Sequence, residues 1–134
     1  MEPELIKDLI QHRIIRAKET LVDTEIAIKN DRLKNALNGI YYSAVYAVSA
    51  LSVKTGFSTS KHKQLLDWFN KNFVHTGIIS GDLFTIYTRA LDLKQESDYE
   101  DYVEVDKNVI EENYKDMLKF VSEIEKVIEE NKND

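Results

Sequence analysis

Residues 35–53 read NALNGIYYSAVYAVSALSV and carry no charged side chain. Wound as a helix at about 100° per residue, this run has one aliphatic face and one face that is polar but uncharged. The aliphatic face consists of Leu33, Leu37, Ile40, Ala44, Ala47, Val48 and Leu51, and the polar face of Asn35, Asn38, Gly39, Tyr42, Tyr46 and Ser49. A helix without a charged face is covered on both sides. The stretch therefore predicts the central helix of an all-α domain.

The uncharged polar face of this helix has to meet another protein surface. Because small, aromatic and uncharged residues are typical of interface cores, we predict a homodimer with Asn38, Tyr42 and Tyr46 at the contact. The alternative is packing against another helix of the same chain. A membrane span is not expected, since two asparagines, three tyrosines and three serines make the run too polar.

Four further helices are predicted around the central one. The first runs from Pro3 to Lys29, and the central helix follows Asp31 as its N-cap and ends at Thr55, before Gly56. A third helix covers residues 61–75 and is capped by the hydroxyls of residues 58–60. The fourth covers residues 81–96 and is capped by Ser80, and the last is capped by Asp106.

The first and last helices share an apolar stripe with a 4-3-4-3-4 spacing. Its positions are Ile10, Ile14, Ala17, Leu21, Thr24 and Ile28 in the first helix, and Ile110, Tyr114, Met117, Val121, Ile124 and Ile128 in the last. Narrow seams of this kind favour near-antiparallel packing. We therefore predict a single domain over residues 1–134, an all-α, up-and-down bundle of about five helices whose tail at 131–134 frays.

Composition narrows the classes of protein to which the chain can belong. The absence of cysteine excludes disulfides and thiolate metal sites and fits a reducing cytoplasm, where we expect the protein to act. The N-terminal MEPELIKDLIQHR lacks a basic segment followed by an apolar run, so no signal peptide is expected. A net charge of −6 argues against a generic nucleic-acid binder, although a local basic patch is compatible with that total.

Neither a metal nor a cofactor is expected from the sequence. His12, His62 and His75 fall on different predicted helices, with no HExxH and no acidic residues at ligand spacing. The four glycines form neither GxGxxG nor GxxxxGK[ST], so no phosphate-binding glycine loop is present.

The stretch GFSTSKHK at residues 56–63 is a candidate anion-binding or nucleotide-binding site. It places Ser60, Lys61, His62 and Lys63 at the start of a helix, where unpaired backbone N–H groups and cationic side chains attract phosphate. The alternative is an N-cap followed by solvated lysines.

The stretch DLKQESDYEDY at residues 92–102 contains a second candidate site. Lys94 falls on the apolar stripe of the fourth helix, so its ammonium has to pair, reach water or face a cleft. Asp98 lies one turn later and can pair with it. Either the lysine stem packs while its head reaches water, or Lys94 points into a groove beside Tyr99 and Tyr102. The second interpretation makes Lys94, Asp98 and Tyr99 candidate catalytic residues.

Three segments follow one another in the chain: ALNGIYYSAVYAVSAL, SKHKQLLDWFNKNFVHTG and ALDLKQESDY. In this order they resemble the landmarks of small HEPN-domain proteins, namely an alanine/tyrosine-rich second helix, a Ser-x-His helix start, a Phe-Val-x-x-Gly turn and a D-L-R-x-x-A-D-Y end to the fourth helix. The resemblance covers roughly residues 10–128. It implies a helical bundle that is usually homodimeric and often partnered with a minimal nucleotidyltransferase in a toxin–antitoxin pair.

The resemblance also implies a chemistry from which this sequence departs. In active HEPN ribonucleases, the arginine of an R-x(4–6)-H motif stabilises the phosphate and the histidine assists proton transfer at the 2′-OH. Here Lys94 stands where arginine is expected and Tyr99 where the histidine is expected. Lysine lacks the bidentate fork of arginine, and tyrosine is a poor base at neutral pH. Gly39 and Ile40 also occupy a place where relatives often have a basic residue.

We interpret the chain as a non-catalytic or weakly catalytic HEPN partner of a minimal nucleotidyltransferase. In some such pairs the nucleotidyltransferase adds AMP to a tyrosine, and Tyr99 and Tyr102 are the candidates for modification or partner contact. The six acidic residues from Glu96 to Asp106, with no basic residue among them, favour a basic partner protein over RNA. The alternatives are a metal-independent ribonuclease toxin using Lys94 and Tyr99, or a nucleotide-binding bundle. RNA or a nucleotide therefore stays a candidate ligand.

Overall fold

The computed structural model describes residues 2–99 and 105–130, which form five α-helices and contain no β-strand. The helices are α1 (Pro3–Lys29), α2 (Leu33–Thr55), α3 (His62–Phe69), α4 (Gly81–Tyr99) and α5 (Lys107–Glu130). A π-helical segment, Asn70–Val74, continues α3. The predicted all-α bundle is confirmed, and α1 has its predicted bounds. Tyr102 and the tail at 131–134 lie outside the described residues.

The central helix of the bundle is α2, as its sequence predicts. It contacts each of the other four helices and buries twelve of its own residues. By length and composition alone α2 could cross a membrane, but 67% of its most apolar window is buried inside the bundle. The uncharged run is therefore explained by protein contacts on most of its surface.

Gly39 determines how closely α1 and α2 approach each other. A Cβ atom at Gly39 would lie 2.2 Å from Oγ1 of Thr24 on α1, far inside contact distance. Thr24 is buried, and its hydroxyl donates to the carbonyl of Thr20 at 2.7 Å. A side chain at position 39 would displace this hydroxyl. Glycine at position 39 thus has a packing reason.

The stripes of α1 and α5 both face the core, as predicted. Among their positions, Ile10 and Tyr114 are only partly buried. Helix α5 buries more than its stripe predicts, because Asn113, Phe120 and Val127 are also inside. The ring of Phe120 packs 5.7 Å from Tyr87 of α4 and 6.0 Å from Phe69 of α3, measured between centroids. These aromatic contacts join three helices at one end of the core.

Two of the predicted N-caps are wrong. Asp31 has a left-handed backbone with a φ of 56°, and its carboxylate accepts a hydrogen bond from Nζ of Lys107 at 2.7 Å. Helix α2 therefore begins after Arg32, which makes no side-chain cap. Helix α3 begins after Lys61, whose backbone N–H donates to the Thr59 hydroxyl at 3.1 Å in a turn that precedes the helix.

The other predicted helix ends are confirmed, with one correction at α4. Ser80 accepts a hydrogen bond from the N–H of Leu83 at 3.2 Å, and Asp106 accepts one from the N–H of Asn108 at 2.8 Å. Gly56 closes α2 with a φ of 86°. Helix α4 continues to Tyr99 instead of ending at residue 96. The extra turn is held by side-chain contacts of the residues that the sequence predicted as a candidate site.

Candidate functional site

Lys94 lies on α4 with most of its side chain shielded from water. Its side chain is 18% exposed, and Nζ donates to Oδ2 of Asp98 at 2.5 Å. The pKa of Asp98 is held below its ordinary value, chiefly by the hydrogen bond from Lys94, with a smaller contribution from Lys34. The predicted pair one helical turn apart is therefore formed, and it neutralises a cation at a core-facing position.

Two tyrosines of α2 and a histidine of α3 complete a cluster around this ion pair. Nζ of Lys94 lies 5.9 Å from the ring centroids of both Tyr41 and Tyr42, within the range of cation–π contacts. The ring of His62 meets the same two rings edge-on, at 6.1 Å and 5.6 Å between centroids. We call Tyr41, Tyr42, His62, Lys94 and Asp98 the tyrosine cluster. It joins Lys94 and His62, which the sequence placed in two separate candidate sites.

The hydroxyl of Tyr41 in this cluster is not suited to act as a base. Tyr41 is buried, and burial raises its pKa to about 12. A phenol with a raised pKa stays protonated at neutral pH and can donate a hydrogen bond but not accept a proton. The charged pair of the cluster is the Lys94 ammonium and the Asp98 carboxylate.

The rest of the predicted anion site points to solvent. Ser60, Lys61 and Lys63 are exposed. Nζ of Lys63 lies 3.3 Å from Oδ2 of Asp67, and both side chains are largely exposed, so this ion pair contributes little to stability. Lys63 is therefore a solvated lysine, as the alternative interpretation predicts. Of the four predicted residues, His62 is the one that belongs to the tyrosine cluster.

Tyr99 stands apart from Lys94 although it follows Asp98 directly. It is 88% exposed at the end of α4, whereas Lys94 is 18% exposed. Tyr99 therefore does not share the shielded surroundings of the Lys94 side chain. The proposed joint catalytic role of Lys94 and Tyr99 stays a prediction, and Tyr102 lies outside the described residues.

Part of the polar face of α2 is covered within the chain. Nη2 of Arg16 donates to the Tyr46 hydroxyl at 2.8 Å, and the guanidinium lies 5.0 Å from the ring centroid. Nη1 of Arg13 donates to Oγ of Ser49 at 2.6 Å. Tyr46 is thus packed within the chain, as the alternative to a dimer predicts. Asn38, in contrast, is exposed. Homodimerisation through this face stays a prediction.

Charge is distributed unevenly around the tyrosine cluster. Residues 54–81, which include α3, contain four lysines and one aspartate, a net charge of +3 within a chain of −6, so the remaining residues carry −9. His62 of the cluster belongs to this basic segment, and Asp98 belongs to the acidic end of α4. The chain therefore contains a basic segment, residues 54–81, that the total charge does not reveal.

Two surface grooves lie away from the cluster. One of about 480 Å³ runs between α1 and α2 beside Thr24 and Gly39. The other, of about 850 Å³, lies between α1 and α5 and has an apolar floor that includes Ile10, Ile14 and Ile128. Among residues 2–99 and 105–130, no group of three histidine, aspartate or glutamate side chains could hold a metal ion.

Comparison with known proteins places these features in a family. The model of the HEPN domain matches residues 10–131. A UPF0332 protein of Thermotoga maritima is 40% identical over 126 residues, which cover 91% of this chain and 92% of that protein. Two proteins of Methanocaldococcus jannaschii that bear the name "Putative toxin" are each 28% identical, over 102 and 94 residues. These matches cover 76% and 70% of this chain, and 69% and 70% of the two relatives.

The family match extends over nearly the whole bundle, from within α1 to the end of α5. It includes the three segments whose order resembles HEPN proteins, and therefore every residue of the tyrosine cluster. The helical bundle and the family match both indicate a HEPN domain. The chain belongs to the HEPN-domain family.

Proposed function

We propose that this chain is the HEPN half of a toxin–antitoxin-like pair whose other half is a minimal nucleotidyltransferase. It acts in the cytoplasm through homodimerisation and partner binding, with the R-x(4–6)-H ribonuclease motif altered. Support comes from the family, from the two relatives named as toxins, and from the surface at the end of α4.

The observation that carries the proposal is the position of Tyr99. Its side chain is 88% exposed on the last residue of α4. The preceding turn contains the 2.5 Å ion pair between Lys94 and Asp98. An accessible phenol in an acidic segment suits a basic partner protein and is a chemically competent acceptor for a nucleotidyl group.

The proposal predicts a specific modification that can be reconstituted. The purified chain is incubated with the minimal nucleotidyltransferase from the same genome, ATP and Mg²⁺, and its intact mass is then measured. We expect a gain of whole AMP groups that Tyr99→Phe reduces, with Tyr102→Phe as the second acceptor variant. Tyr114→Phe is the matched control, because the Tyr114 hydroxyl is already bound to Glu25 at 3.1 Å. The absence of both complex formation and mass gain contradicts the proposal.

Dimerisation has its own test. Asn38→Arg places a charge on the exposed part of the polar face of α2 and should convert a dimer to a monomer in sedimentation experiments at micromolar concentration. Gln95→Arg adds the same charge to an exposed position on α4 and should leave the dimer intact. A parent chain that is strictly monomeric contradicts the dimer.

A further inference from the structure

Helix α1 exposes an apolar stripe on a side away from its buried one. Ile15, Val22 and Ile26 are 48%, 60% and 55% exposed. At about 100° per residue, these three positions lie within about 40° of one another around the helix. The buried stripe of the same helix, which includes Ala17 and Thr24, faces the core. Helix α1 therefore has two apolar sides, and its own chain buries one of them.

The exposed stripe continues onto α5. Lys18 pairs with Glu125 at 2.8 Å, and the Tyr114 hydroxyl donates to Glu25 at 3.1 Å, so α5 runs antiparallel beside α1. Leu118 lies between Tyr114 and Glu125 in α5, on the same side of that helix, and is 44% exposed. Several exposed aliphatic side chains on adjoining helices are typical of an interaction site. We call this set the α1 surface: Ile15, Val22, Ile26 and Leu118.

The charges along α1 make this surface complementary to itself. Two copies of α1 can lie antiparallel with Ile15 of each opposite Val22 of the other. In that register, Asp8 of each copy lies opposite Lys29 of the other. Both charged residues are exposed. A parallel pair would instead place every charge against the same charge, which is unfavourable. The charge pattern therefore favours an antiparallel second copy as the occupant of this surface.

The centre of the antiparallel pair has the same complementarity. Lys18 of each copy lies opposite Glu19 of the other, so this ion pair occurs twice by symmetry. Lys18 also pairs with Glu125 of its own chain, but its side chain is 54% exposed and its ammonium has three donors, so it can bind a second carboxylate. Exposed ion pairs of this kind determine orientation and register more than affinity.

We propose that the α1 surface binds the α1 surface of a second copy of this chain, with the two α1 helices antiparallel. One helix face per copy is a small interface, so we expect a Kd of about 10–100 µM. The contact does not use the polar face of α2. Where that face forms the proposed dimer, the α1 surface joins such dimers into a larger assembly, because each chain then has two self-complementary faces.

The absence of cysteine from the chain allows a direct test of the register. Ile15→Cys combined with Val22→Cys should give disulfide-linked pairs of chains on oxidation at about 100 µM, seen by intact mass. Each single variant should stay unlinked, because its two cysteines would lie roughly 10 Å apart along the helices, beyond the reach of a disulfide. Failure of the double variant to form linked pairs, or equal linkage by a single variant, contradicts the arrangement.

Sedimentation of the Asn38→Arg chain measures the α1 contact without the proposed α2 contact. At about 300 µM, well above the expected Kd, this chain should be a dimer. Val22→Asp in the same background should weaken that dimer at least about tenfold, because it places a charge in an apolar contact. Ile78→Asp is the matched control, at a position 54% exposed outside α1, and should change nothing. Circular dichroism confirms that each variant is folded. A monomer at this concentration, or equal losses in both variants, would overturn the proposal.

A charge exchange at the ends of the helix pair separates this contact from a general loss of structure. Asp8→Lys and Lys29→Asp, each in the Asn38→Arg chain, should weaken the dimer about threefold to tenfold. The two substitutions together should restore it, because the opposite charges again face each other. A combined variant no tighter than the single ones refutes the register. These measurements use the chain alone, so their result is independent of whether a nucleotidyltransferase binds or modifies it.

Discussion

Replacement of Gly39 by alanine tests how α1 and α2 pack at the centre of the bundle. The new Cβ atom would lie 2.2 Å from Oγ1 of Thr24, so the hydroxyl or a whole helix has to move by roughly 1 Å. Overpacking of this kind costs about 1–3 kcal/mol, and the higher helix propensity of alanine offsets up to about 1 kcal/mol of that. We expect a net loss of about 1–2 kcal/mol in the free energy of unfolding, or a Tm lower by about 3–8 °C.

The structure supplies an internal control for this prediction. Thr24→Ala removes the obstructing oxygen. The next atom, Cβ of residue 24, lies 3.5 Å from the new Cβ atom of Gly39→Ala, which is an ordinary contact. Thr24→Ala alone loses the hydrogen bond to Thr20 and costs about 1 kcal/mol. In that background Gly39→Ala should become neutral or stabilising by up to about 1 kcal/mol. The coupling energy between the two positions is therefore about 2 kcal/mol.

Urea unfolding followed by circular dichroism at 222 nm measures all four members of this cycle. The slopes of the transitions should agree, so that the midpoints report stability. The reasoning fails if Gly39→Ala is as stable as the parent chain. It also fails if Gly39→Ala costs the same with threonine and with alanine at position 24, since the obstruction would then lie elsewhere.

Three further results are expected. Lys94→Met removes the hydrogen bond that lowers the pKa of Asp98, so NMR titration should show this pKa rising toward its ordinary value. In the parent chain the ionised Asp98 stabilises the fold above its ordinary pKa, and this stabilisation is lost as pH falls. In Lys94→Met this pH-dependent stabilisation should be absent. Burial raises the pKa of Tyr41 to about 12, so as pH rises the unfolded state loses the phenol proton before the folded state does. The Tm of the parent chain should therefore fall as pH rises from about 10 toward about 12. In Tyr41→Phe the Tm should fall less steeply over the same pH range. Phe120→Ala empties a fully buried site and should cost about 3–5 kcal/mol in urea unfolding, whereas Leu118→Ala, at an exposed position on the same helix, should cost little.

The helices of this bundle were largely predictable because their signals are local. An uncharged run bounded by Gly56 specifies α2, and the 4-3-4 stripes specify the buried faces of α1 and α5. The caps at Asp31 and residues 58–60 were wrong because backbone geometry and a distant partner decide them. Lys107, which binds Asp31, is 76 residues away in the chain.

The candidate site was only half predictable, for a physical reason. The pair of Lys94 and Asp98 follows from helical spacing, which the sequence displays directly. Lys94 and His62 contact the same two tyrosine rings because of how α3 and α4 pack against α2, and no local spacing encodes this arrangement. Tyr41 was overlooked because a buried aromatic residue in a central helix is ordinarily a core residue. A signal that could have found it is the pair of adjacent tyrosines in the uncharged run, whose rings both contact Lys94 and His62.

The account depends most on the partner proposed for this HEPN domain. The decisive measurement is a native pull-down of the chain from its own cells, with the intact mass read on the bait and on every co-eluting chain. We predict a co-eluting minimal nucleotidyltransferase and a bait that is heavier by whole AMP groups on Tyr99 or Tyr102. An unmodified bait that elutes without a protein partner contradicts the proposed pair.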